Sequence, residues 1–271
     1  MAQGGVRIAA AALLDSCEET LEIDSPDSDA GVMRQAVDDH FSPSDTLICD
    51  HEPRVPSVFI SDMDSTMIEQ ECIDELADFA GLKDRIADIT ERAMQGELDF
   101  EHALRERVKL LAGLPERAIA ECLETRITPM PGAATLVRSL KAQGCRTVLV
   151  TGGFHHFADR VAQQLGFDHV VANGLEIAGG KLTGKLEGPI TDSAVKKSTL
   201  IREMALLGEG ATSLATGDGA NDIPMLEAAT YGLAYRAKPK ARQAANGWID
   251  RGDLRAVLQL LGIARSDWVV G

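Results

Sequence analysis

From residue 55 onward the chain alternates short apolar runs with longer stretches of mixed polarity. Val58 to Ile60, Thr147 to Thr151, His169 to Ala172, Thr212 to Thr216 and Tyr231 to Tyr235 are such runs. They are too short for helices and apolar on successive positions, the pattern of strands buried in a parallel sheet. Helical patterns at about 132–143, 155–165, 193–207 and 221–229 separate most of them. The alternation predicts an α/β fold, a doubly wound parallel sheet whose ligands gather at the strand C-termini. Between Leu175 and Leu186, polar and apolar residues alternate around Gly179 and Gly180, which predicts a β-hairpin.

Two stretches depart from this rhythm. Residues 69–128 carry no convincing strand but three or four helical stretches, with Gly81, Gly96 and Gly113 as C-caps and Pro115 in a first turn. This predicts a helical cap inserted after the first strand of a core made of 56–68 and 129–271. Phe100, Leu104, Arg107 and Leu111 fall on one helix face, so Arg107 lies on the apolar stripe and calls for an anionic partner or a place at the rim. Residues 1–55 read as a small α/β appendage of unassigned role, with a turn cluster at 24–31 and a linker near 50–56. Within it, Val6 to Leu14 is apolar but short, has only Arg7 as a basic residue at its start, and is followed by Asp15, Glu18 and Glu19. It is read as a strand or helix to be buried rather than as a leader. No run approaches the ~20 apolar residues of a membrane span.

Composition narrows the functional classes. At 271 residues, 45 % hydrophobic but 4 % aromatic, the chain can bury an aliphatic core and a satellite domain. A net charge of -15 argues against a nucleic-acid partner. Any anion site must therefore be made locally cationic by a metal, helix N-termini and a few basic residues. Five scattered cysteines without CxxC spacing indicate neither a zinc site nor a disulfide framework, and suit a reducing cytoplasm.

Four strand-end or helix-start motifs carry candidate chemistry. Asp62 and Asp64, with Thr66, form a DxDxT loop after the first strand. Two carboxylates at that spacing can share a cation and still divide the work of nucleophile and proton carrier. Thr151, Gly152 and Gly153 end the second strand and offer a hydroxyl and free N–H groups to an anion. His155 and His156 read as surface residues of the following helix. Lys196 and Lys197 open another helix and, by themselves, read as two solvated lysines. Gly217 to Asp222, the sequence GDGAND, packs acidic residues among glycines at a strand end, where they can reach a metal. Each motif alone also has an ordinary reading as a turn or cap.

Taken in order, strand and DxDxT, helical insert, strand and TGG, lysine-bearing helix, strand and GDGAND resemble the haloacid-dehalogenase superfamily of phosphohydrolases. Further segments are similar to its phosphoserine-cleaving branch: Glu71 to Glu75, Glu91 to Phe100, Leu104 to Val108, Gly152 to Phe154, Ala172 to Leu175 and Gly217 to Met225. The resemblance covers about 56–263, with Thr151 standing where many relatives have Ser. It implies that Asp62 is the nucleophile, Asp64 the general acid and base, and O-phosphoserine the substrate. Mg²⁺ would be held by Asp62, the Asp64 main-chain carbonyl and Asp218. Thr151, Gly152, Lys196 and Asn221 would hold the phosphoryl group, with Asp222 orienting Lys196 or the metal shell. Glu71 and Arg107 would read the substrate's ammonium and carboxylate, with Met94 and Phe100 closing the lid. A phosphotransferase acting on a small alcohol such as homoserine shares these motifs. A non-catalytic binding module would have lost Asp62, Asp64 or Asp218. The expectation is a cytoplasmic enzyme with a small-molecule substrate, no nucleic-acid or membrane partner, and homodimerisation left open.

Overall fold

The computed structural model describes residues 6–14, 17–26, 29–94 and 97–270. The chain begins with strands β1 (Ala10–Leu14) and β2 (Cys17–Asp24), then helix α1 (Ala30–Phe41) and strand β3 (Asp45–Leu47). Strand β4 (Val58–Ser61) leads into four cap helices: α2 (Cys72–Phe79), α3 (Lys83–Met94), α4 (Phe100–Leu110) and α5 (Arg117–Arg126). Next come α6 (Ala133–Ala142), β5 (Arg146–Phe154), α7 (His155–Leu165), β6 (His169–Ala178), β7 (Lys181–Glu187) and α8 (Ser193–Leu207). Strand β8 (Ser213–Gly217), α9 (Ile223–Ala228), β9 (Tyr231–Tyr235), α10 (Pro239–Ala244), β10 (Gly247–Ile249) and α11 (Ala256–Leu260) complete the order.

One eight-stranded sheet, in the order β3-β10-β9-β8-β4-β5-β6-β7, forms the centre. The run from β10 to β6 is parallel, while β3 and β7 pair antiparallel at the two edges. This is the mostly parallel α/β sheet expected from the alternation of apolar runs. The central strand β4 is buried along its whole length, as a strand covered by helices on both faces must be. Its register places Ser61 opposite Leu149 on one side and Thr216 on the other. The C-terminal ends of β4, β5 and β8 therefore deliver Asp62, Thr151 and Asp218 to one edge of the sheet. Gly179 and Gly180, at φ 60° and 71°, make the turn of the β6–β7 hairpin, a conformation that few other residues adopt.

Helices α2 to α5 form the insert that the sequence led one to expect, between β4 and α6. Gly81 and Gly113 have positive φ just past the ends of α2 and α4, as C-capping glycines do. Gly96 lies outside the described residues.

The first 55 residues are tied into the core more closely than their composition suggests. Strand β3 extends the main sheet through β10. The Asp45 carboxylate accepts the backbone N–H groups of Asp250, Arg251 and Gly252 at 2.9, 2.8 and 2.9 Å. From α1, Arg34 lies 4.4 Å from the Trp248 ring centroid, as does Arg242, which is ion-paired to Asp38 and Asp250. The apolar run at residues 6–14 buries Val6, but as β1 it forms only a two-stranded ribbon with β2, and Leu13 and Leu21 stay exposed. No helix among the described residues is long and apolar enough to cross a membrane.

Removing the Asp45 carboxylate leaves three N–H groups of the β10 turn without their acceptor. Asp45→Ala should lower unfolding stability by about 2–4 kcal/mol in urea while leaving kcat near wild type. A loss within about 0.5 kcal/mol would mean that water replaces the carboxylate there.

Candidate active site

The first helix turn of α8 explains why a lysine ends up inside the protein. Asp192 caps that helix, its carboxylate accepting the Val195 N–H at 2.9 Å, and the register then turns Lys196 toward β4 while Lys197 faces solvent. Lys196 is 1 % exposed, whereas the lysine pair read by itself suggested two solvated side chains. Its Nζ lies 2.7 Å from Asp62 Oδ1 and 2.7 Å from Asp222 Oδ1. Burial works against the ammonium, but Asp62 and Asp222 outweigh it and hold Lys196 charged beyond its usual range.

Asp62 Oδ1 also accepts the Met63 N–H at 2.8 Å, so one carboxylate oxygen is committed to two donors. The other oxygen has no donor among the contacts described, which leaves a lone pair for chemistry. Asp222 is differently placed. Its Oδ1 is taken by Lys196, and its Oδ2 accepts the N–H groups of Asp218 and Gly219 at 3.1 and 3.0 Å. That close approach explains Gly217: a Cβ there would lie 2.5 Å from the Asp222 carboxyl carbon.

Asp64 sits two residues after Asp62 in a contrasting environment. Its Oδ1 is buried without a hydrogen-bond partner. Burial, helped by Glu71 and opposed by Cys72, pushes its carboxyl up to about 7. The loop between Asp62 and the cap is tightly drawn, with Ser65 at φ 55° and its hydroxyl donating to Glu71 Oε1 at 2.8 Å. Glu71 is itself the first residue before α2, so the loop and the cap are joined at this point.

Asp62, Asp218 and Asp222 present carboxylate oxygens that all lie within 4.8 Å of one another. Burial and Asp222 push Asp218 up to about 6, with Lys238 at 3.8 Å opposing. Three crowded carboxylates beside a single buried ammonium fit a divalent cation, which would relieve their repulsion. Because both Asp222 oxygens are already engaged, Asp62 and Asp218 have the lone pairs to offer it.

The remaining expected residues divide into two groups. Thr151 is 1 % exposed, and Gly152 follows it at the end of β5. A Cβ on Gly152 would lie 3.3 Å from Phe100 Cζ, so the cap's aromatic ring rests on this turn. Arg107 is half-buried on α4, donates to the Ala103 carbonyl oxygen at 3.3 Å, and makes no ion pair among the described residues. Burial lowers it from its ordinary value, and Asp74, Glu71 and Asp64 oppose that shift. Asn221 is exposed at the rim, on the 3₁₀ turn before α9. The side chain of Met94 lies outside the described residues.

Sequence reasoning passed over Asn173, Cys72 and Ser65. Cys72 flanks Asp64, and Ser65 holds Glu71. Asn173 is 1 % exposed in a strand and hydrogen-bonded to Gly152. It lies in Ala172 to Leu175, a segment that carries the family resemblance but was given no role of its own.

A buried carboxylate, an ammonium beside it and a cation-ready cluster gather at the C-terminal edge of the parallel sheet, where proteins of the α/β class place their ligand sites. The chain belongs to the haloacid dehalogenase-like hydrolases, whose family model matches residues 59–227. It is 46 % identical over 205 residues to a phosphoserine phosphatase of Albidiferax ferrireducens, covering 73 % of this chain and 86 % of the relative. Among solved structures, a haloacid-dehalogenase family hydrolase from Salmonella enterica serovar Typhi superposes with a TM-score of 0.80 at 31 % identity, covering 94 % of this chain and 88 % of that one. A phospho-aspartyl intermediate analogue of a phosphoserine phosphatase matches with a TM-score of 0.68 at 37 % identity, covering 76 % and 99 % respectively.

Replacing Lys196 with a neutral residue leaves Asp62 and Asp222 as uncompensated buried charges. Lys196→Met should destabilise the fold by about 3–5 kcal/mol at neutral pH. Burial and Asp222 already push the Asp62 carboxyl up against the opposition of Lys196, so without the ammonium it rises further above its unfolded value and the folded state binds more protons. The deficit should then grow as pH rises and shrink as pH falls. Urea unfolding across pH measures this, and a pH-independent deficit would show that the lysine stem, not its charge, is what matters.

Proposed function

We propose that the protein hydrolyses O-phosphoserine to serine and inorganic phosphate, with Asp62 as the nucleophile. The observation that carries this reading is the unequal pair on one loop. Burial pushes both carboxyls up, but Asp62 is bound by an ammonium that opposes the shift, whereas Asp64 has a free buried oxygen and is pushed up to about 7. That division suits one carboxylate to attack and the other to carry a proton.

In the first step, an Asp62 oxygen forms a bond to phosphorus as the bond to the seryl oxygen breaks. Asp64 gives its proton to that leaving oxygen, releasing serine and leaving an aspartyl phosphate. In the second step, Asp64 takes a proton from water as the water oxygen attacks phosphorus. Asp62 departs as a carboxylate, phosphate is released, and Asp64 ends protonated as it began. Thr151, Gly152, Lys196 and Asn221 hold the phosphoryl oxygens. Bound Mg²⁺, held by Asp62, the Asp64 main-chain carbonyl and Asp218, would neutralise charge on the phosphoryl group. Lys196 opposes the repulsion between a carboxylate and a phosphate dianion, which is several kcal/mol in a desolvated site. Asp222 fixes the ammonium in place.

Specificity is assigned to the cap. Glu71 meets the substrate ammonium and Arg107 its carboxylate, while Phe100 shuts out water. Arg107 supports this reading because it is half-buried without an ion-pair partner among the described residues. The free cysteines Cys49, Cys72, Cys122 and Cys145 suit the cytoplasm as the place of action.

Phosphate release from a panel of phosphorylated metabolites, with and without Mg²⁺, tests the assignment. Phosphoserine should be cleaved fastest and only with the metal, and phosphoethanolamine poorly, because it lacks the carboxylate. Arg107→Ala should cost about 2–5 kcal/mol, or roughly 30- to 4000-fold in kcat/KM, on phosphoserine but far less on p-nitrophenyl phosphate. Equal losses on both substrates would remove Arg107 from the specificity role. Faster cleavage of another metabolite would overturn the substrate.

A further inference from the structure

Asn173 joins three parts of the site through one buried amide. Its Nδ2 donates to the Gly152 carbonyl oxygen at 2.7 Å, and its Oδ1 accepts the Thr191 N–H at 2.8 Å. A backbone N–H only donates and a carbonyl only accepts, so these partners fix which end of the amide is which. The Gly152 carbonyl belongs to the same peptide as the Gly153 N–H, and that N–H donates to Thr151 Oγ1 at 2.9 Å. The peptide is thus pinned at its oxygen by Asn173 and at its nitrogen by Thr151. A threonine hydroxyl that accepts from Gly153 has its own proton directed elsewhere. On the other side of Asn173, Thr191 precedes Asp192, the cap of the helix that carries Lys196.

We propose that Asn173 is a positioning residue for phosphoryl transfer. By holding the Gly152–Gly153 peptide, it turns the Thr151 hydroxyl proton toward the phosphoryl group and locks that turn in register with the start of α8. Asn173 touches no reacting atom; it acts through Thr151 and the backbone. The proposal rests on Thr151 being a phosphoryl ligand, and the test separates the two.

Asn173→Ala, Asn173→Asp, Thr151→Val and the double variant Thr151→Val/Asn173→Asp would be assayed with phosphoserine and p-nitrophenyl phosphate, alongside thermal unfolding. Asn173→Asp is close in shape and keeps an acceptor for Thr191, but loses the donor to Gly152. It should lower kcat/KM about 10- to 100-fold on both substrates alike, unlike a change in the cap. It should also raise the inhibition constant of inorganic phosphate. The double variant should be no worse than Thr151→Val alone, because the effect passes through that hydroxyl. Losses that multiply in the double variant, or an Asn173→Asp enzyme with unchanged turnover and phosphate inhibition, would overturn the proposal. A silent Thr151→Val would remove Thr151 as a phosphoryl ligand, and the proposal would fall with it. A silent Asn173→Asp beside a crippled Thr151→Val would overturn the positioning role alone. Should Asn173→Ala fail to fold, the Asp variant carries the test.

Discussion

A lysine that is 1 % exposed stays charged only where carboxylates surround it closely enough to outweigh its lost hydration. Lys196 meets that condition with Asp62 on β4 and Asp222 after β8, each at 2.7 Å. The contact ties α8 to the ends of two neighbouring strands and fixes one oxygen of Asp62. Asp222 in turn is fixed by the backbone N–H groups of Asp218 and Gly219, which requires a glycine at 217 to make room. The acidic cluster, the strand register and the buried helix face are thus parts of one electrostatic arrangement. Break the ammonium, and the carboxylates that remain repel one another in a medium that screens them poorly.

The cap is joined to this arrangement at the loop that holds both aspartates. Ser65, in a left-handed conformation, donates to Glu71 just before α2, and Asp64 lies between Glu71 and Cys72 in electrostatic terms. Phe100 approaches Gly152, near the end of β5, from the cap side. Movement of the cap would therefore be felt at Asp64 and at Gly152 together. This gives a physical route by which the reading of a substrate's amino-acid end is coupled to the chemistry at its phosphate end.

The central strands were legible because a fully buried parallel strand leaves an unmistakable apolar run, as Val58 to Ile60 and Thr212 to Thr216 do. The hairpin was legible from Gly179 and Gly180, and the cap from its lack of strands and its capping glycines. Strands β3 and β10 were not, because three residues carry no periodicity and their antiparallel pairing, reinforced by the Asp45 carboxylate, joins segments far apart in the chain. The inward placement of Arg107 showed in its helix face. That of Lys196 did not, since adjacent lysines at a helix start look alike until the cap at Asp192 sets the register. Asn173 escaped notice because its importance lies in partners distant in sequence, Gly152 and Thr191.

All of this converges on a single atom-level claim, that the Asp62 oxygen left free by Lys196 and Met63 attacks phosphorus. Mixing the enzyme with ³²P-labelled phosphoserine and quenching in acid within a single turnover tests it directly. The account predicts label that is stable in acid, lost in base, and mapped by peptide mass spectrometry to Asp62, with none on Asp62→Asn. Turnover by a folded Asp62→Asn protein, or label mapped to any other residue, would contradict it.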